Sequence, residues 1–327
     1  VMVWVLISAA AVVLVLGAGA VIGIALTVGW RLTHPPRKPI SMEPERFGMA
    51  SYQTVLFPSQ DHKILLSGWY ISADDNGVKN NGCTLIFAHG YGQNRLEPHL
   101  PALSLASRLL AKGYDILMFD FRNAGLSEGE VTTVGLYEQR DLLGAIDYVS
   151  HHYPQQQIAL IGFSMGAATS LLVAGVDHRV KAVVADSPFY SLWDYLQENL
   201  PHWTGLPHFP FNMIILTLIP LLLRANPRSV QPYRSAAGLA PRPVLLIHGT
   251  GDETVPFQDS CRLLETINHP CAEMWLVPGT GHVRSYAAYP EEYTERVLSF
   301  LERSVQDRPD EQWSQGDGGK RKTPSSP

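Results

Sequence analysis

Gly162-Phe163-Ser164-Met165-Gly166 stands between two runs of different character. Before it, Ile158-Ala159-Leu160-Ile161 is a continuous apolar run of strand length; after it, Ala167 to Ala174 is a run of small and aliphatic residues of helical length. A serine at a strand-to-helix junction has to take a strained turn, which only small flanking residues permit, and that turn lifts the hydroxyl clear of the sheet. The stretch therefore predicts a nucleophile at Ser164. Gly125-Leu126-Ser127-Glu128-Gly129 has the same spacing and acts as a control. It follows the polar Arg122-Asn123 and runs into Glu130-Val131-Thr132-Thr133, with no strand before it and no apolar helix after it. Ser127 reads as a loop residue.

Outward from this junction, strands and helices alternate. Two strand-like runs lie near Tyr52–Phe57 and Ile64–Ser72, then Thr84–Ala88 leads into Leu100–Ala111, and Asp115–Phe119 into Tyr137–Ser150. Val180–Ala185 follows the serine helix. Such alternation predicts an α/β fold with a mostly parallel central sheet flanked by helices on both faces. Between 190 and 240 the rhythm breaks. That insertion carries Trp193, Trp203, Phe209, Phe211 and the uncharged run Met213–Leu223, which is too short to span a bilayer and reads as a cap or lid helix. Pro243–Ile247, Ala272–Val277 and a final helix near Glu292–Leu301 resume the core pattern.

Two of these later strands also end in glycine turns that carry chemistry. His248-Gly249-Thr250-Gly251-Asp252 puts a carboxylate just past one strand, and Pro278-Gly279-Thr280-Gly281-His282 puts an imidazole just past the next. A serine hydroxyl is a poor nucleophile until a neutral imidazole accepts its proton, so His282 is the expected general base and then general acid. Asp252 would orient that ring and stabilise the imidazolium. Asp186, which also ends a strand, and Glu253 are the competing carboxylates. Asp120 and Arg122 read as an ion pair bracing the loops. Charge on a substrate carbonyl needs fixed donors: the N–H of Met165, at the positive end of the helix after Ser164, and the N–H of Tyr91, in His89-Gly90-Tyr91-Gly92 after a strand.

Residues from about Arg46 to Ser304 resemble an α/β-hydrolase, most of all its membrane-anchored serine hydrolases related to depalmitoylases and lipid esterases. The resemblance rests on His89–Gly92, Phe119–Ser127, the Ser164 turn, Asp186-Ser187-Pro188-Phe189, the Asp252 loop and Gly281-His282. It implies the α/β-hydrolase fold and hydrolysis through an acyl-enzyme. The substrate does not come with it.

The 327 residues are 46% apolar and only 17% charged, with a net charge of −5. Part of the charge deficit lies at the N-terminus: from Val1 to Trp30 no side chain is charged, and the apolar run exceeds the roughly 20 residues needed to cross a bilayer. A cleaved signal peptide ending near Ala18-Gly19-Ala20 is the competing reading, but the run continues past that site. Residues 1–30 are thus expected to be a membrane anchor, and either topology is compatible with the flanking Arg31, Arg37 and Lys38. The proline-rich 31–45 reads as a stiff spacer holding the next domain off the membrane. The hydrolase domain would occupy 46–304 and a disordered tail 305–327, with the basic run Lys320-Arg321-Lys322 inside it.

Negative net charge argues against nucleic-acid binding. No metal or nucleotide motif occurs, so no cofactor is expected. Cys83, Cys261 and Cys271 are too scattered for a disulfide framework and read as small core residues. His151, His152 and His202 sit in polar segments and read as solvated. Together these features predict a membrane-tethered serine hydrolase acting on a small-molecule ester or thioester with an apolar acyl group. A small-peptide serine peptidase of prolyl-oligopeptidase-like type and a non-catalytic membrane scaffold are the alternatives. Oligomeric state is not legible.

Overall fold

The apolar runs become an eight-stranded sheet in the computed structural model, which describes residues 2–305. In chain order, α1 (Met2–Thr33) precedes β1 (Gln53–Pro58), β2 (Leu65–Ile71), β3 (Cys83–Ala88), α2 (Ala102–Leu110), β4 (Asp115–Phe119) and α3 (Glu138–His152). Then come β5 (Gln157–Phe163), α4 (Met165–Ala174), β6 (Val180–Asp186), α5 (Leu192–Thr204), α6 (Met213–Leu223) and α7 (Pro232–Ala236). The chain continues through β7 (Val244–Gly249), α8 (Gln258–Ile267), β8 (Ala272–Val277), α9 (Ser285–Ala288) and α10 (Pro290–Val305). Apart from Val305, the expected tail lies outside the described residues.

The strand order is β1-β2-β4-β3-β5-β6-β7-β8, antiparallel at β1/β2 and β2/β4 and parallel from β4 to β8. Along β3, Cys83, Leu85 and Phe87 pack to one face with α2 and α10, while Ile86 and Ala88 pack to the other with α3, α4 and α8. Burial on both faces is why the parallel strands read as unbroken apolar runs. From β3 the chain steps out to β4 and returns past β3 to β5. That reversal makes a crevice at the carboxyl ends of β3 and β5, where open α/β sheets gather their ligands.

Several expectations need correction. The insertion ends earlier than 240, because α7 already packs on the core: Ala236 and Leu239 belong to the α4 cluster, and a Cβ on Gly175 of that helix's end would meet Ser235 at 2.6 Å. Residues 31–45 are not a free spacer. The Thr33 carbonyl accepts from the Thr132 N–H at 2.8 Å, Arg37 donates to the carbonyls of Ser127 and Gly129, and Asn94 Nδ2 donates to the carbonyls of Lys38 and Pro39. The segment is strapped to the domain. Asp120 and Arg122 do not pair with each other. Asp120 binds the buried Arg95 (2.6 Å), and Arg122 binds Asp141 on α3 (2.6 Å).

Helix α1 is long and apolar enough to cross a bilayer. Its 32 residues extend about 48 Å, more than the roughly 30 Å of a hydrocarbon core. Its C-terminal end packs on the cap, where Ala25 and Gly29 are buried. A Cβ on Gly29 would collide with Ile219 of α6, so the missing side chain is what lets the two helices approach. Cysteines 83 and 271 are buried and Cys261 is half-buried, while His151, His152 and His202 are exposed.

Candidate active site

Ser164 links β5 to α4 with φ 52 and ψ −114, a conformation unfavourable for any residue with a side chain. The strain is locked in by packing. A Cβ on Gly162 would fall 2.5 Å from the Gly166 carbonyl oxygen, and one on Gly166 would collide with the Ala88 carbonyl. Both glycines of the motif are therefore required by backbone contacts, one within the turn and one against β3. Ser127, in the decoy motif, is buried in a loop; its Oγ donates to the Asp120 carbonyl at 2.6 Å and accepts from the Ser67 N–H.

His282 Nε2 lies 2.8 Å from Ser164 Oγ, and Nδ1 lies 2.7 Å from Asp252 Oδ2. The turn that aims the ring is itself strained, since Val283, a β-branched residue, has φ 53. Asp252 Oδ1 accepts from the N–H groups of Thr254 (2.8 Å) and Val255 (2.9 Å). Behind the acid stands His248, fully buried, whose Nε2 is 3.2 Å from Asp252 Oδ2 and 3.0 Å from the Val255 carbonyl. Burial alone would raise the Asp252 pKa, but the hydrogen bonds from His248 and His282 outweigh it and hold the carboxylate well below its usual range. It stays ionised beside the imidazole.

Neither competing carboxylate hydrogen-bonds His282, whose Nδ1 is paired with Asp252. Asp186 accepts from Ser187 Oγ at 2.9 Å and from Tyr293 Oη at 3.1 Å, makes no hydrogen bond to His282, and is raised by burial to about 6. Glu253 is exposed. Among the described residues no group of three or more His, Cys, Asp or Glu side chains is arranged to hold a metal ion.

Tyr91 and Met165 line the same cavity as Ser164 and His282. Met165 opens α4, and Tyr91 sits in the loop after β3. His89 braces that loop: its Nε2 accepts from the Phe121 N–H at 3.0 Å, so Nδ1 carries the proton and donates to the Gly90 carbonyl at 2.8 Å. Burial depresses its pKa, which keeps it neutral in this role. Two further contacts were not legible. Glu97 Oε2 accepts from the Gly90 N–H at 2.6 Å, and Tyr91 Oη donates to the carbonyl of Leu32, in the last turn of α1, at 2.6 Å.

The cavity holds about 310 Å³, with walls that include Leu32, Val134, Phe189, Leu196 and Trp203. A second apolar cavity of about 90 Å³ shares Leu32, Val134 and Leu196 with it and continues between α1 and α6. The arrangement can activate an alcohol nucleophile next to an apolar chamber formed jointly by the core, the cap and α1.

The alpha/beta hydrolase fold family matches this chain over residues 84–206. YfhR of Escherichia coli (strain K12) is 29% identical over 256 residues, covering 77% of this chain and 81% of that protein. YqkD of Bacillus subtilis (strain 168) is 30% identical over 222 residues, covering 67% and 71%. Among solved structures, the esterase Pf2001 of Pyrococcus furiosus superposes with a TM-score of 0.68 at 28% identity, over 83% of this chain and 99% of that one.

Proposed function

The chain belongs to the α/β-hydrolase family, and from that premise we propose that it is a serine hydrolase cleaving carboxylic esters or thioesters with an apolar acyl group. The observation that carries this reading is one imidazole, His282, within 2.8 Å of Ser164 Oγ and 2.7 Å of Asp252. Ser164 gives its proton to His282 Nε2 as Oγ bonds to the acyl carbon. Asp252 steadies the resulting imidazolium without taking the proton. Negative charge on the former carbonyl oxygen faces the N–H groups of Tyr91 and Met165. Collapse of the tetrahedral species breaks the bond to the alcohol or thiol, which leaves with the proton from His282. Water then repeats the sequence on the acyl-Ser164 and releases the acid.

The apolar chamber supports the acyl preference, and the description of the similar Pyrococcus protein as an esterase supports the ester class. Membrane anchoring by α1 fits both. Phe209, Met213, Leu221 and Leu222 of the cap stay exposed beside it, so the cap carries an apolar outer surface next to the span.

Labelling with a fluorophosphonate probe, followed by a p-nitrophenyl ester series from acetate to decanoate, tests the reading. The wild type labels, Ser164→Ala does not, and turnover rises with chain length. No label on the wild type returns the fold to a non-catalytic scaffold, and faster cleavage of aminoacyl nitroanilides than of esters makes it a peptidase.

A further inference from the structure

The cavity beside Ser164 has two kinds of lining. Leu32, Val134, Phe189, Leu196 and Trp203 are apolar; Gln93, Glu97 and His99, all from the loop after β3, are polar. None of the three has a task in the hydrolytic steps, and Glu97 is the buried one. It is only 2% exposed, and its backbone is left-handed, with φ 37. Burying a carboxyl is costly unless its oxygens are satisfied. Oε2 is, by the Gly90 N–H at 2.6 Å. Oε1 has no hydrogen-bond partner among the described residues, yet it is not one of the side-chain atoms sealed away without one, which are Arg95 Nη1, Gln156 Oε1, Asn212 Oδ1 and Ser285 Oγ. Glu97 lines the Ser164 cavity, and Oε1 is the acceptor it has to offer there.

The carboxyl also lies close to the nucleophile. A Cβ built on Gly90 would stand 3.1 Å from Glu97 Oε2 and 3.5 Å from Ser164 Cβ, so both side chains border Gly90. An apolar acyl chain fits against the apolar lining, which leaves the polar lining from the loop after β3 for the alcohol part of the substrate.

Resting on the serine-esterase reading, we propose that Glu97 is a leaving-group subsite, accepting a hydrogen bond from a free hydroxyl of a polyol ester whose acyl chain lies against the Leu32–Trp203 wall. An ionised carboxylate only accepts hydrogen bonds, so it favours a hydroxyl over an ether of similar size. Burial raises Glu97 to about 7, so the distinction is sharpest at pH 8.5.

The test compares 1-decanoylglycerol with its di-O-methyl ether, using full-length protein in detergent. The wild type favours the free diol by about tenfold or more in kcat/KM, as expected when a site built for a hydroxyl meets an analogue lacking it. Glu97→Gln keeps the Gly90 bond through its carbonyl and turns an amide N–H₂ toward the cavity, which donates equally to a hydroxyl or an ether oxygen. Its ratio therefore falls toward one, whatever its absolute rate. A wild-type ratio near one, or an unchanged ratio in Glu97→Gln, overturns the subsite while leaving the esterase intact. Failure of the wild type to label with fluorophosphonate overturns the esterase reading itself.

Discussion

The hydroxyl of Tyr91 donates to the carbonyl of Leu32 at 2.6 Å, tying the loop that follows β3 to the last turn of α1. The expected anchor and the expected oxyanion donor are therefore parts of one assembly, reinforced by the strap from Thr33 to Pro39. Tyr91→Phe removes only this bond, leaving the backbone donor in place. A hydrogen bond of this kind contributes about 0.5–1.5 kcal/mol, so a fall in kcat of about 2- to 10-fold with little change in KM is expected on a short-chain p-nitrophenyl ester. An unchanged kcat would mean that α1 does not help to hold the loop.

Groups that act as a unit are not additive. Ser164→Ala and His282→Ala are each expected to lower kcat by about 10⁴-fold or more, and the double variant to be no worse than either single one. Asp252→Asn should cost about 10⁴-fold by favouring the wrong tautomer of His282. Residual turnover, measured after mild inhibition of any contaminating esterase, decides it; losses that multiply in the double variant would mean the residues act independently.

Backbone contact, not flexibility, is the reason for Gly166. A methyl there collides with the Ala88 carbonyl and comes within 2.7 Å of the His89 carbonyl, both on β3 or its immediate end. Overpacking against a sheet typically costs about 1–3 kcal/mol and sometimes more. Gly166→Ala should lower the melting temperature by about 5 °C or more, a protein of this size moving about 2–4 °C per kcal/mol. Gly238→Ala, where the nearest atom is 3.7 Å away, is the control and should move it little.

The proximity of Ser164, Asp252 and His282 was legible because each of these proposed catalytic residues follows an apolar strand in a turn that carries glycine. Ser164, Asp252 and His282 end β5, β7 and β8 in that way, and parallel strands necessarily bring those ends to one rim. Helix α8 was not read, since half of its buried positions, Asp259 and Ser260 beside Leu263 and Ile267, are polar and blunt the helical period. Charge pairing misled for a different reason. Nearness along the chain suggested Asp120 with Arg122, but Arg122 finds a bidentate carboxylate across space at Asp141, and Asp120 is taken by Arg95, whose Nε and Nη2 both donate to its Oδ2. Leu32, His248 and Glu97 act through contacts that carry no local pattern at all.

Glu97 also makes stability depend on pH. Burial raises its carboxyl to about 7, against the hydrogen bond from Gly90 and the nearby charge of Lys38, with Asp186 adding to the rise. An unfolded glutamate ionises near pH 4.3. Between those values the native state holds a proton that the unfolded state has released, so stability falls as pH rises through the window and the loss is complete above about pH 7. Glu97→Gln removes that contribution, and each pKa unit corresponds to about 1.4 kcal/mol. Relative to wild type, the variant should therefore gain about 2–3 kcal/mol between pH 5 and pH 8. Denaturant unfolding at the two pH values, taken as a difference between variant and wild type, cancels Asp141 and Asp186, which burial raises to about 6 in both proteins. A difference that does not change with pH would show that Glu97 ionises as readily in the folded protein as in the unfolded chain.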